Sequence, residues 1–138
     1  MSPTPDAQRD RAFLLIWWIV WGAILGGLVL IYLALGRKPL PPVPPAQSLT
    51  GLAGLVPLFV SIIIRWLVLP RLSGVRQALP MFVIGIALAE SCGILGIFFG
   101  GAYKDDLFLL GVLGVTQYVP FFAKQYLEPK SSGFIPNN

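Results

Sequence analysis

Residues 12–35 carry no charged side chain at all. A helix needs about 20 apolar residues in succession to cross the hydrocarbon core of a bilayer. Three more such runs follow. Residues 49–69 hold a single cation, Arg65, residues 78–102 hold a single acid, Glu90, and the shorter run 107–123 holds no charge. In lipid every backbone polar group must be satisfied within the protein, so only helices and closed barrels can span. The runs are continuously apolar and do not alternate as barrel strands do. The expected fold is therefore all-α: an integral membrane protein of four transmembrane helices in an antiparallel up-down bundle, with residues 1–138 forming one membrane domain. Composition agrees, since 56% of the 138 residues are hydrophobic and 12% charged, with a mean hydropathy of +0.78. Soluble domains carry about 25% charged residues. The first run is too long for a signal-peptide core of roughly 7–15 residues.

The connections refine the spans. Residues 36–48 read GRKPLPPVPPAQS, and their five prolines favour extended polyproline II over helix. Such a segment serves either as a stiff spacer or as a docking ligand. Residues 70–77 are short and basic, so the second and third spans form a hairpin. Pro80 falls in the first turn of the third span, where proline is tolerated. Asp105 and Asp106 precede the fourth span and can cap its amides. Gln117 and the helix-bending Pro120 blur the end of that span. Residues 129–138 form a flexible tail.

Lys and Arg set orientation. Arg9, Arg11, Arg71, Arg76, Lys124 and Lys130 share one side, against Arg37, Lys38 and Lys104 on the other. This predicts that both termini are cytoplasmic. Trp17, Trp18, Trp66 and Tyr126 fall near the inner interface and Tyr32 and Tyr103 near the outer one, where amphipathic rings prefer to sit. Trp21 lies deeper, as a packing residue.

Function is constrained mostly by exclusion. The chain has no histidine and one cysteine, Cys92. These facts exclude His-ligated haem, His-based metal sites, His-dependent triads and an intrachain disulfide. The expectation is no metal, no cofactor and no enzymatic activity. The net charge of +4 is accounted for by topology, so no nucleic-acid partner is expected.

Glu90 is the residue that demands explanation. A charge near the bilayer midplane costs about 3 kcal/mol on insertion scales, which favours protonation, a partner or a water-filled cavity. Glu90 then serves either as neutral hydrogen-bonding glue between helices or as a proton- or cation-handling group. Arg65 is the candidate partner, roughly 7 Å shallower at 1.5 Å per residue. It either pairs with Glu90 or snorkels to the interface. Gln117, Ser61, Ser91, Cys92 and Thr116 are further candidates for interhelical hydrogen bonds. Gly85, Ala89 and Gly93, then Gly96 and Gly100, recur every four residues and permit close helix approach. Gly22 and Gly26 give the first span a G-x-x-x-G. Both patterns are expected to serve packing within the chain more than between chains.

Residues 86–99, IALAESCGILGIFF, carry a resemblance. They resemble the Ala-Glu-x-x-x-Ile-x-Gly helix of a diffuse group of uncharacterised small four-span bacterial membrane proteins. They are also distantly similar to the carboxylate helix of proteolipid c-ring subunits of rotary ATPases, a likeness that implies an ion-carrying role for Glu90. The preceding span departs from the c-ring pattern, with Pro57 and Arg65 in place of a dense glycine repeat. The function expected is a small helical subunit or accessory protein in a larger bacterial inner-membrane complex, its partners the lipid bilayer and other membrane helices. The alternative is a homo-oligomeric, proton- or cation-coupled transporter or channel that uses Glu90.

Overall fold

Four helical stretches account for the structure, a computed structural model that describes residues 5–37 and 52–127. The proline-rich loop and the tail fall largely or wholly outside those residues. The main helices are α1 (Pro5–Ile31), α2 (Leu55–Ile63), α3 (Val75–Phe99) and α4 (Lys104–Thr116), and the described residues contain no strand. With their flanking turns they form four segments long and apolar enough to cross a membrane: Arg11–Gly36, Leu52–Arg71, Val75–Phe99 and Gly101–Tyr126.

Three boundaries differ from the sequence reading. Helix α3 starts at Val75, after an extended Gly74, so Pro80 sits inside the helix rather than in its first turn. Helix α3 also ends earlier, at Phe99. The chain there passes through Gly101 at φ 52°, a left-handed conformation that glycine adopts without steric cost. Helix α4 consequently begins at Lys104 and includes Asp105 and Asp106 in its first turn, with no side-chain cap. The two acids still favour the positive end of the helix dipole.

The fourth span is broken. Regular helix stops at Thr116, and a tight 3-10 segment runs over Pro120–Tyr126. Pro120 has no N–H and forces its predecessor out of the helical region. Val119 accordingly adopts φ −49°, ψ 126°. The second span also changes pitch, with a wide π-turn over Ile64–Val68 in which the Leu69 amide reaches back to Ile64 O.

Helix α3 packs against each of the other three helices. Gly54, just before α2, lies beside Cys92 and Leu95, whereas Ser61 lies beside Gly85, so the paired positions of α2 and α3 run in opposite senses. The core is built where these helices meet, from Trp17, Leu28, Phe82, Ile86, Ala89, Val115 and Tyr118. Trp17 is 1% exposed and packs on Phe82, Phe122 and Tyr126 with ring centroids 4.4, 5.6 and 5.9 Å away. It is a core residue, not the interfacial anchor expected from its position. Tyr126 is likewise buried and donates to Leu69 O at 2.6 Å. Trp18 and Trp66 are exposed, and Trp21 packs inward, donating to Val115 O at 3.0 Å.

At the opposite end of the bundle, Tyr32 stacks on Phe108 and donates to Asp105 Oδ1 at 2.8 Å. Lys104 hydrogen-bonds the Gly36 carbonyl and lies 4.0 Å from Asp105, the one ion pair among the described residues.

Candidate functional site

Arg65 and Glu90 are not partners. The π-turn of the second span directs Arg65 to the broken end of α4, where its Nε donates to Gln117 O at 2.8 Å. Its guanidinium carbon stands 4.0 Å from the ring centre of Phe122 and 5.2 Å from that of Trp66. A cation at a helix C-terminus is favourable to the dipole and satisfies a carbonyl the helix leaves orphaned. The break at Pro120 thus creates the acceptor, and Arg65 meets it. Trp66 Nε1 adds a contact to Gln117 Oε1 at 3.2 Å, while Gln117 Nε2 is buried without a hydrogen-bond partner. Arg65 and Gln117, both singled out from sequence, therefore come together, and Glu90 stands apart from them.

A second polar node lies in the core. Ser61 Oγ donates to Gly85 O at 2.7 Å, and Tyr118 Oη donates to Ser61 O at 2.6 Å. This ties together the second, third and fourth spans. A Cβ on Gly85 would stand 2.1 Å from Tyr118 Oη, so the tyrosine fits only against glycine. Sequence reasoning found Ser61 and Gly85 but missed Tyr118. The available signal was a tyrosine inside an apolar run, whose buried hydroxyl must find an acceptor. Ser91 and Thr116 bond within their own helices, to Ala87 O and Leu113 O at 2.8 Å each. Buried Cys92 makes a weak contact with Leu107 O at 3.7 Å.

The two glycine patterns separate. On α3, a Cβ at Gly93 would meet Leu28, and one at Gly96 would meet Leu107 and the backbone of Phe108. A Cβ on Gly111 would lie 2.6 Å from Gly93 N. Gly85, Ala89, Gly93 and Gly96 thus form the seam on which neighbouring helices close, while Gly100 abuts Lys104 at the turn. A Cβ added to Gly22 or Gly26 would meet no described atom of another element within 4 Å. The first-span G-x-x-x-G packs against no other described residue, whereas the sequence reading expected packing within the chain. Helix α1 meets the bundle through Trp17, Trp21, Ile24 and Leu28 and turns Gly22 and Ala23 outward.

Glu90 lies at the flank of α1, beside Gly27. Its Oε1 lies 4.0 Å from where a Cβ on Gly27 would stand. The carboxyl makes no ion pair and no hydrogen bond among the described residues. No group of three His, Cys, Asp or Glu able to hold a metal occurs among the described residues. No protein-family description matches the chain, and no curated protein or solved structure was found to match it.

Proposed function

We propose that this chain is a small integral membrane subunit that receives a helix of an unlike protein against its first span. The carrying observation is the outward face of α1, where a Cβ on Gly22 or Gly26 would meet open space, with Glu90 at the flank of the same helix and without a partner among the described residues. Only 11% of the most apolar stretch of the first span is buried, against 44% for the third, so α1 leaves most of its surface to other contacts. Small residues let backbones approach in lipid, and a carboxyl at the flank of such a face can supply a hydrogen bond to the incoming helix. The four spans would thread the bilayer as an antiparallel up-down bundle, a reading supported by the opposed pairing of α2 with α3. The excess of Arg71, Arg76 and Lys124 over the Arg37 and Lys104 end supports cytoplasmic termini. The likeness of residues 86–99 to small bacterial four-span proteins is what points this reading toward a bacterial inner membrane. A photo-reactive residue at Ala23 tests the interface in native membranes. The expected result is one discrete adduct with an unlike chain, lost in Gly26→Leu. Adducts to lipid alone, or to a second copy of this chain, contradict it.

One observation favours the second reading, a proton- or cation-coupled transporter. Arg65 is engaged at Gln117, so no cation among the described residues holds Glu90 in its charged form. That reading requires flux in liposomes that Glu90→Gln abolishes without loss of folding. Absence of flux in the unaltered protein contradicts it.

A further inference from the structure

We infer that the cleft between the second-to-third-span loop and the end of the fourth span binds the phosphate of an anionic phospholipid headgroup. This inference rests on the membrane reading above but not on the identity of any partner protein. The cleft is a cavity of about 100 Å³ lined by Pro70, Leu72, Ser73, Gln125 and Tyr126. Among its lining residues, Ser73 and Gln125 are exposed and polar. Three exposed cations border it in the chain. Arg71 lies between two lining residues, Arg76 follows Ser73 by three residues, and Lys124 precedes Gln125, each next to the lining in sequence and outside it. The acids whose side chains are described are Glu90, Asp105 and Asp106, none of them at this end of the bundle. Even with Asp6, Asp10 and Glu128 counted from sequence, six cations face three acids on this side.

Two features make the cluster more than a topology signal. Arg76 occupies the first turn of α3, where no acidic residue offsets it and no side chain caps the helix. A cation is disfavoured there by the helix dipole, so its placement is not explained by the helix itself. The cavity also lies where Leu69, the last buried residue of the second span, receives the Tyr126 hydroxyl at 2.6 Å. That bond fixes the two walls relative to each other. The site therefore sits at the end of the apolar stretch, the level at which headgroup phosphates lie. Clusters of Lys and Arg beside the cytoplasmic ends of membrane helices attract anionic headgroups.

The test uses the full chain in lipid discs of phosphatidylcholine doped with phosphatidylglycerol. The lipids retained by the protein are identified by native mass spectrometry. The expected result is several-fold enrichment of phosphatidylglycerol over its bulk fraction. The enrichment should fall to the bulk ratio in R71Q/R76Q/K124Q and in Ser73→Leu, which fills the cavity without changing charge. Arg37→Gln, at the other end of the bundle, should leave it intact. Equal enrichment in the triple variant, retention in Ser73→Leu or equal loss in Arg37→Gln each overturns the site. Displacement of the lipid by millimolar inorganic phosphate would assign the cleft to a free anion and overturn the lipid source. Insertion into phosphatidylcholine discs without enrichment defeats this inference alone. Failure to insert into any disc defeats the membrane reading beneath it.

Discussion

At the residue scale, two charges that looked like a pair have separate roles. Arg65 bonds the Gln117 carbonyl at the break in the fourth span, and Glu90 borders Gly27. Hydrogen bonds to charged groups contribute about 1.5–3 kcal/mol net. Arg65→Met should therefore lower unfolding stability in detergent by about 1–3 kcal/mol, whereas Glu90→Gln should leave it nearly unchanged. A double-mutant cycle should give the two changes as additive within about 0.5 kcal/mol. Coupling well above that would restore the Arg65–Glu90 pair. The sequence made both residues visible because a lone charge in an apolar run stands out. It did not show their partners, because the acceptor for Arg65 is the Gln117 carbonyl, left open by Pro120 three residues further along the fourth span. A carbonyl has no letter in the sequence, and the π-turn that re-aims Arg65 leaves no periodic signal either.

At the element scale, the small residues divide into used and unused. Gly111 meets the Gly93 backbone, which cannot yield, and Gly85 meets Tyr118. Overpacking at a close contact costs about 1–3 kcal/mol, so Gly111→Ala and Gly85→Ala should each destabilise the fold by that order. Gly22→Ala and Gly26→Ala have open space and should leave isolated-chain stability equal or slightly higher, since alanine is the better helix former by about 1 kcal/mol. Thermal unfolding of the four variants in one detergent checks the contrast, and equal losses at all four would contradict it. Periodicity made the four spans legible, because a run of apolar residues fixes a helix almost regardless of context. The ends were less legible. Helix α3 gained a turn before Pro80 because Gly74 starts it, and the fourth span broke at Val119 because the proline constrains the residue before it. Which glycine stripe faces inward depends on helix rotation, which spacing alone does not determine.

At the scale of the whole molecule, the protein resembles a soluble bundle turned outside in. Leu15, Ile19, Leu30, Val56, Trp66 and Phe121 are each about 60–80% exposed, an apolar surface a water-soluble monomer does not present. The two ends differ in charge, so cysteines placed at Lys124 and at Tyr103 should label from opposite faces of sealed vesicles. Labelling of both from one face would contradict the threading. The class of structure was readable from four apolar runs, and the position of the outward face of α1 was not. The central claim, that this face and Glu90 await a helix of another protein, is tested most directly by the native mass of the protein purified gently from its own membrane, with every co-purifying chain identified. The account predicts a mass well above that of the 15.0 kDa chain and a stoichiometric unlike protein that dissociates in Gly26→Leu. A lone monomer, or an assembly of this chain only, would contradict it.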